Sequence, residues 1–379
     1  MNDVTKVPHP VTAKYERHTV QLMDPSTTST AMSISPDSGD HWTVEGAWPV
    51  APGVHRIPLP LPMDGLRAVN VYVIEGADGL TLIDGGWAIE IGRQVLERSL
   101  RQLDAGVQDI RQFLVTHIHR DHYTMASVLG AETGASISLG RQEQPALEAI
   151  HAGPGVERQW SDRALHAAGA DALAEEWARQ LDDTQVPQWW HEPDTWLESD
   201  QRIELGARDL DAIHTPGHTP GHFVFADAHA SLLFAGDHVL PTITPSIGFV
   251  YPTPHDPLGN FLASLAKVRA MPDLRILPAH GPVAPSSHAR VEELLTHHEH
   301  RLALALESVR AGRVTAYAVA GDLPWTRHER RLAEMDVFNA MLAIRETMAH
   351  LDVLAARGQV TRTEGADGVL TFDLPLHRA

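Results

Sequence analysis

Phe113-Leu114-Val115-Thr116 is a short apolar run, and it ends in His117-Ile118-His119-Arg120-Asp121-His122. A strand that delivers four potential ligand side chains within six residues limits what this chain can fold into more than any other stretch does. On extended backbone His117 and His119 project to the same side, and Asp121 and His122 can turn back over the adjacent space. Donors so placed can serve two neighbouring cation positions. Neutral imidazole and carboxylate suit Zn²⁺, and also Fe or Mn.

Three later junctions repeat the pattern. Thr215-Pro216-Gly217-His218-Thr219-Pro220-Gly221-His222 sets His between glycines after a strand. Phe234-Ala235-Gly236-Asp237-His238 ends another apolar strand in Asp, and Leu277-Pro278-Ala279-His280-Gly281 ends one in His. A side chain at such a junction is aimed by a rigid sheet yet reaches an open edge. A lone His-rich loop reads as a solvated turn; four junctions of this kind argue for a built site. Asp84, in Asp84-Gly85-Gly86, reads as a turn residue at a Gly-Gly corner. His222 and His238 lie beside the pattern as ring-holding, structural or pocket residues. Trp87 reads as pocket lining or packing, as do Trp189, Trp190 and Trp196.

Composition narrows the chemistry. The chain has no Cys, so disulfides and thiolate ligands are excluded and imidazole and carboxylate must do any binding. Asp and Glu number 49 against 30 Lys and Arg, a poor match to a phosphate backbone. Nucleic acid is therefore not expected as a partner. No stretch has the apolar length of a membrane span, and the N-terminus lacks a basic start followed by an apolar run. A cytoplasmic location away from membranes is expected.

Residues 1–45 read as an N-terminal extension, with polar, turn-forming stretches at 26–30 and 33–40. Strand patterns begin near residue 53, among them Val69-Asn70-Val71-Tyr72-Val73-Ile74. Residues 88–103 are an amphipathic helix, and 141–200 a mostly helical insertion. Strands return at 202–205, 210–214, 222–226 and 231–235. Beyond 285 the pattern is helical, with Met341, Ile344, Met348, Leu351 and Leu354 on one face, Gly358 as a stop, and a terminal hairpin. Helices ending in a hairpin suggest a winged-helix unit. His297-His298-Glu299-His300 falls inside a helical pattern and reads as a solvated face. Both the tail and the insertion offer surfaces for a homodimer.

The order His-x-His-x-Asp-His, Gly-His, Gly-Asp, His-Gly resembles the metallo-β-lactamase fold superfamily, especially its glyoxalase II-like hydrolases, over about residues 50–285. The tail resembles the winged-helix extension of its lactamase-like protein 2 subgroup. The resemblance implies an α+β chain, a four-layer αββα sandwich with the metals at one edge. It implies a catalytic domain at 46–285 and a winged-helix-like domain at 286–379. His117, His119 and His218 resemble the ligands of a first metal. Asp121, His122 and His280 resemble those of a second, with Asp237 bridging, and Asp84 resembles the acid that holds a ligating ring from behind. Asp121 would also be catalytic, orienting a hydroxide shared by two Zn²⁺ ions; coordinated water loses its proton near pH 7. The implied activity is hydrolysis of a small-molecule thioester, ester or lactone. A metal-dependent nuclease and a mononuclear iron persulfide dioxygenase are the alternatives. β-Lactam hydrolysis is not expected.

Overall fold

The computed structural model describes residues 39–62, 65–180, 187–206, 208–252, 255–326 and 329–375. The polar stretches read at 26–30 and 33–38 lie outside the described residues. Every element below belongs to the unit Ile34–Ala379. The last residues of the expected extension are tied to the body of the protein. Glu45 pairs with Arg98 at 2.7 Å, and the Ala47 N–H donates to Gln102 Oε1 at 2.9 Å.

Seven strands form a first sheet in chain order: β1 (Trp48–Ala51), β2 (Val54–Pro60), β3 (Ala68–Gly76), β4 (Gly79–Ile83), β5 (Ile110–Leu114), β6 (Ser136–Gly140) and β7 (Thr195–Leu197). β1 to β4 are antiparallel; β5, β6 and β7 add in parallel. A second sheet holds β8 (Gln201–Glu204), β9 (Asp209–His214), β10 (Phe223–Asp227), β11 (Leu232–Gly236) and β12 (Arg275–Pro278), in the order β12-β11-β10-β9-β8. The helices are α1 (Glu90–Arg101), α2 (Arg120–Thr133), α3 (Gln144–His151), α4 (Pro154–Ala167), α5 (Asp171–Gln180), α6 (Pro257–Arg269), α7 (Ser287–Arg310), α8 (Ala316–Asp322) and α9 (Val337–Ala356). β13 (Thr361–Glu364) and β14 (Leu370–Asp373) close the chain as the expected hairpin.

The period of two in each strand sorts its side chains into layers. Val69, Val71 and Val73 of β3 face outward onto Leu96 and Leu100 of α1 and Tyr123 and Leu129 of α2. Tyr72 and Ile74 face inward onto Phe223, Phe225 and Phe234 of the second sheet. Tyr72 meets Phe234 edge to face, with ring centroids 5.5 Å apart. The outer face of the second sheet, with Val224 and Leu233, is covered by Phe261 of α6, Val291 and Leu294 of α7, and Ile344 of α9. The result is the αββα sandwich. Truncating one of the inter-sheet phenylalanines to Ala should cost roughly 3–5 kcal/mol. Leu351, Leu354 and Phe372 of the tail belong to the same apolar cluster as Val224, so tail and second sheet share one core. Among the described residues no helix is long and apolar enough to cross a membrane.

Two features differ from the reading of the sequence. Residues 120–133 form α2, although they carry little amphipathic signal, because the helix is buried on most sides. His298 is not on a solvated face: it is fully buried, while His297, Glu299 and His300 are exposed. The His350 Nδ1–H donates to the Glu346 carbonyl (2.8 Å), which leaves Nε2 to accept from His298 Nδ1 (3.2 Å). Both rings are thus neutral. Burial, with Arg301 and His297 nearby, holds both far below the ordinary His value.

A group with a depressed pKa stabilises the fold fully above its unfolded value. That stability is lost as pH falls below about 6.5, at about 1.4 kcal/mol per group per pH unit. Replacing both His298 and His350 by Leu should therefore flatten the fall in melting temperature between pH 7.5 and pH 5.0. Equal falls in the double variant and the wild type would contradict the buried neutral pair.

Candidate metal centre

The donor residues reach one edge of the sandwich from both sheets. His117 and His119 follow β5. Asp121 and His122 lie in the first turn of α2, rather than in a loop. His218 sits in the loop between β9 and β10, Asp237 directly after β11, and His280 shortly after β12. The hand-off between sheets is hydrogen-bonded: the Phe223 N–H donates to the Thr116 carbonyl at 2.8 Å. Asn70 Nδ2 of β3 donates to the carbonyls of Pro278 (3.0 Å) and Gly281 (2.9 Å), and the Tyr72 hydroxyl also donates to Pro278 (2.8 Å). These bonds hold the β12 exit, and with it His280, against the first sheet.

Two donor groups result. His117, His119, His218 and Asp237 form one; Asp121, His122 and His280 form the other. Within each group the candidate donor atoms lie within 4.8 Å of one another. His117 Nε2 and His218 Nε2 each stand 3.0 Å from His119 Nδ1. Asp237 lies between the groups. Its Oδ2 is 3.4 Å from His218 Nε2, and its Oδ1 is 3.4 Å from His280 Nε2 and 3.7 Å from His122 Nε2. Asp121 Oδ2 is 3.4 Å from His280 Nε2 and 3.7 Å from His122 Nε2. Donors around a tetrahedral cation at about 2.1 Å stand roughly 3.4 Å apart, so these spacings fit a cation.

The outer nitrogens fix which way each lone pair points. His218 Nδ1 donates to the Ser246 carbonyl (2.8 Å) and His280 Nδ1 to the Ala68 carbonyl (2.8 Å). His122 Nδ1 donates to Asp84 Oδ2 (2.9 Å). The Thr116 hydroxyl donates to Asp84 (3.0 Å) and so accepts from His117 Nδ1 (3.0 Å). In their neutral forms these four rings therefore turn a bare Nε2 inward. His117 Nε2, His218 Nε2 and His119 Nδ1 converge with at most one proton among them, an arrangement that calls for a cation. In the second group His122 Nε2, His280 Nε2 and Asp237 Oδ1 are buried without any hydrogen-bond partner. Such orphaned atoms are costly unless something binds them.

Electrostatics favour the neutral form for the three rings of the first group, whereas His122 of the second is drawn toward its protonated form by the surrounding carboxylates. Burial pushes His119 down to about 3 and His218 down to about 4, and holds His117 well below its ordinary value. Burial would also lower His122, but Asp121, Asp84 and Asp237 outweigh it and raise the ring to about 10. Burial opposes ionisation of Asp121, yet the imidazoles of His122, His280 and His119 win and keep it below the usual carboxylate range.

The neighbouring residues separate by role. Asp84 is buried at the end of β4 with φ +61°, and touches both groups, His122 directly and His117 through Thr116. A Cβ on Gly85 would stand 2.3 Å from the Ala126 nitrogen, so only Gly lets α2 pack on this corner. His222 Nε2 accepts from the Asp237 N–H (3.1 Å) and its Nδ1 donates to Thr215 Oγ1 (2.9 Å). It supports Asp237 and has no nitrogen left for a cation. His238 is buried against Phe261, ring centroids 5.1 Å apart, and stands outside both groups. Trp87 is half-buried under Arg120, whose guanidinium lies 4.3 Å from its ring centroid. Trp190 stacks on Tyr123 at 6.1 Å and packs in the core. Thr116, Thr215, Ser246 and Glu143 were not read from the sequence as part of the site. Of these Thr116 and Thr215 stand in the quoted motifs and so carried a signal.

Comparison with known proteins is consistent with this geometry. The profile of the metallo-beta-lactamase superfamily matches residues 64–280, and that of the metallo-beta-lactamase-like C-terminal domain matches residues 330–375. The chain is 22% identical over 311 residues to the probable metallo-hydrolase YqjP of Bacillus subtilis, covering 81% of this chain and 92% of that one. It is 29% identical over 129 residues to the atrochrysone carboxyl ACP thioesterase AgnL7 of Paecilomyces divaricatus, covering 33% of this chain and 38% of that one. A metallo-beta-lactamase family protein from Thermus thermophilus superposes with a TM-score of 0.70 at 26% identity, covering 86% of this chain and all of the other.

Asp84→Ala should free the His122 ring and weaken cation binding about 10- to 100-fold, the usual effect of losing such a support. Competition with a chelating dye would measure it. Unchanged affinity in a folded variant would show that Asp84 is only a corner residue.

Proposed function

This chain belongs to the metallo-beta-lactamase superfamily and is a metal-dependent hydrolase, and from that premise we propose that it cleaves a small-molecule thioester at a pair of divalent cations. One observation carries the two-cation reading: the two oxygens of Asp237 are divided between the donor groups. His117, His119 and His218 would hold the first cation, Asp121, His122 and His280 the second, and Asp237 both. Zn²⁺ is the proposed metal, since five of the seven donors are imidazoles in compact groups; Fe and Mn are the alternatives that such donors also accept. A mononuclear iron centre would leave the second donor group without a role.

Bound cations of this kind supply Lewis acidity and make water acidic enough to ionise near neutral pH. The chain's own residues prepare the reaction. The supporting bonds from Asp84, Ser246 and Ala68 fix the rings before substrate arrives, so little reorganisation is needed. Asp121 is ionised and partly exposed, with 14% of its side chain accessible. It can accept a hydrogen bond from the attacking water and orient it toward an acyl carbon. The neutral rings of His119 and His218 leave their lone pairs for binding rather than for protons.

Thioesters lead esters and lactones because a relative 29% identical over 129 residues is named as an ACP thioesterase. The excess of acid over base makes RNA a poor substrate.

The test is a substrate panel of acyl thioesters, simple esters, lactones, phosphodiesters and RNA. It is run on wild type, on protein stripped by chelator and reloaded, and on Asp237→Ala. Thioesters should show the highest kcat/KM. Stripping should abolish turnover and reloading restore it. Asp237→Ala should lose about 10³-fold, near 4 kcal/mol of transition-state stabilisation. Faster cleavage of RNA, or full activity after stripping, would overturn the proposal.

A further inference from the structure

Glu143 is a fully buried acid outside both donor groups, in the turn Arg141–Glu143 that follows β6. Its Oε1 accepts a short hydrogen bond from the Thr219 hydroxyl and another from the Gly221 N–H at 3.2 Å. The Ile118 backbone amide also bears on the same carboxyl group. One side chain of the first sheet therefore grips the residue between His117 and His119 and the residues that follow His218.

The packing around it leaves no slack. A Cβ on Gly221 would stand 2.6 Å from Glu143 Cγ, and a Cβ on Gly140 would stand 2.0 Å from the Gly221 carbonyl oxygen. Both glycines are needed for the loop to seat on the turn. The loop then turns back on itself, with the Gly217 N–H donating to the Thr219 carbonyl at 3.0 Å. The direction of His218 thus depends on where Thr219 is held. Burial raises the Glu143 pKa to about 7, against the lowering effect of its bonds to Thr219, Gly221 and Ile118. An acid kept in so unfavourable a place, with Oε2 lacking a hydrogen-bond partner, is a costly way merely to fill space.

We propose that Glu143 is a positioning residue that locks the His218 loop onto the segment 117–119 and so sets the geometry of the first donor group. The second group, built on α2 and β12, does not touch it. This inference rests on the reading of the site as a metal centre. It predicts a selective effect, which a general packing role would not produce.

The experiment is a two-step Zn²⁺ titration of the metal-free full chain against a chelating indicator. It compares wild type with Glu143→Ala, Glu143→Gln and Thr219→Val, and uses His280→Ala, whose ring belongs to the second group alone, to mark that group. Glu143→Ala should weaken one step at least tenfold and leave the other within twofold. Glu143→Gln keeps an acceptor oxygen and should restore most of the affinity. Thr219→Val keeps the shape, removes the donor, and should weaken the same step; it decides the matter if Glu143→Ala does not fold. Equal weakening of both steps, or no change in either, overturns the brace while wild type still binds Zn²⁺. Failure of wild type itself to take up Zn²⁺ overturns the metal-centre reading, and the brace with it.

Discussion

The outward nitrogen of four of the five ligand-like imidazoles is already spoken for. His218 gives its Nδ1–H to the Ser246 carbonyl, His280 to the Ala68 carbonyl, His122 to Asp84, and His117 to Thr116. In its neutral form each of these rings therefore turns its lone pair inward. Direction, protonation and charge at the sheet edge all follow from these few bonds. Without them the rings could rotate or take up protons, and the two donor groups would lose their shape.

The sandwich exists around that edge in a specific sense. Each sheet alone would present an unfinished set of donors. The inward phenylalanines of β10 and β11 press the sheets together, and Asn70 and Tyr72 fix the exit of β12 on the first sheet. Helix α2 is seated on the Gly85 corner, which places His122 over Asp84. The tail contributes from outside. Arg290 of α7 donates to the carbonyls of Leu240 (2.6 Å) and Ile243 (2.9 Å), in the segment that also carries Ser246. The helices beyond residue 285 therefore reach the centre through the backbone that supports His218.

The donors themselves were legible in the sequence because each ends an apolar strand, where burial pattern and chemistry change within one or two residues. The strands of the second sheet were legible for the same reason. What supports the donors was not. Ser246 and Ala68 act through backbone carbonyls, which every residue possesses. Glu143 sits at the start of the stretch read as a helical insertion, where nothing in Arg-Gln-Glu marks a buried acid, and the docking of the Gly221 loop covers it. Helix α2 lacks an amphipathic stripe because it is enclosed on most sides. His298 was misread because its exposed neighbours set the local pattern, whereas its own face meets α9. Tertiary contact decides such cases, and local periodicity does not record it.

The division of Asp237 between two donor groups is the central claim, and counting the metal in untreated protein by elemental analysis tests it most directly. Two divalent ions per chain, with zinc prevailing, is the result expected from this arrangement. A single ion, or none, in folded and active protein would contradict it.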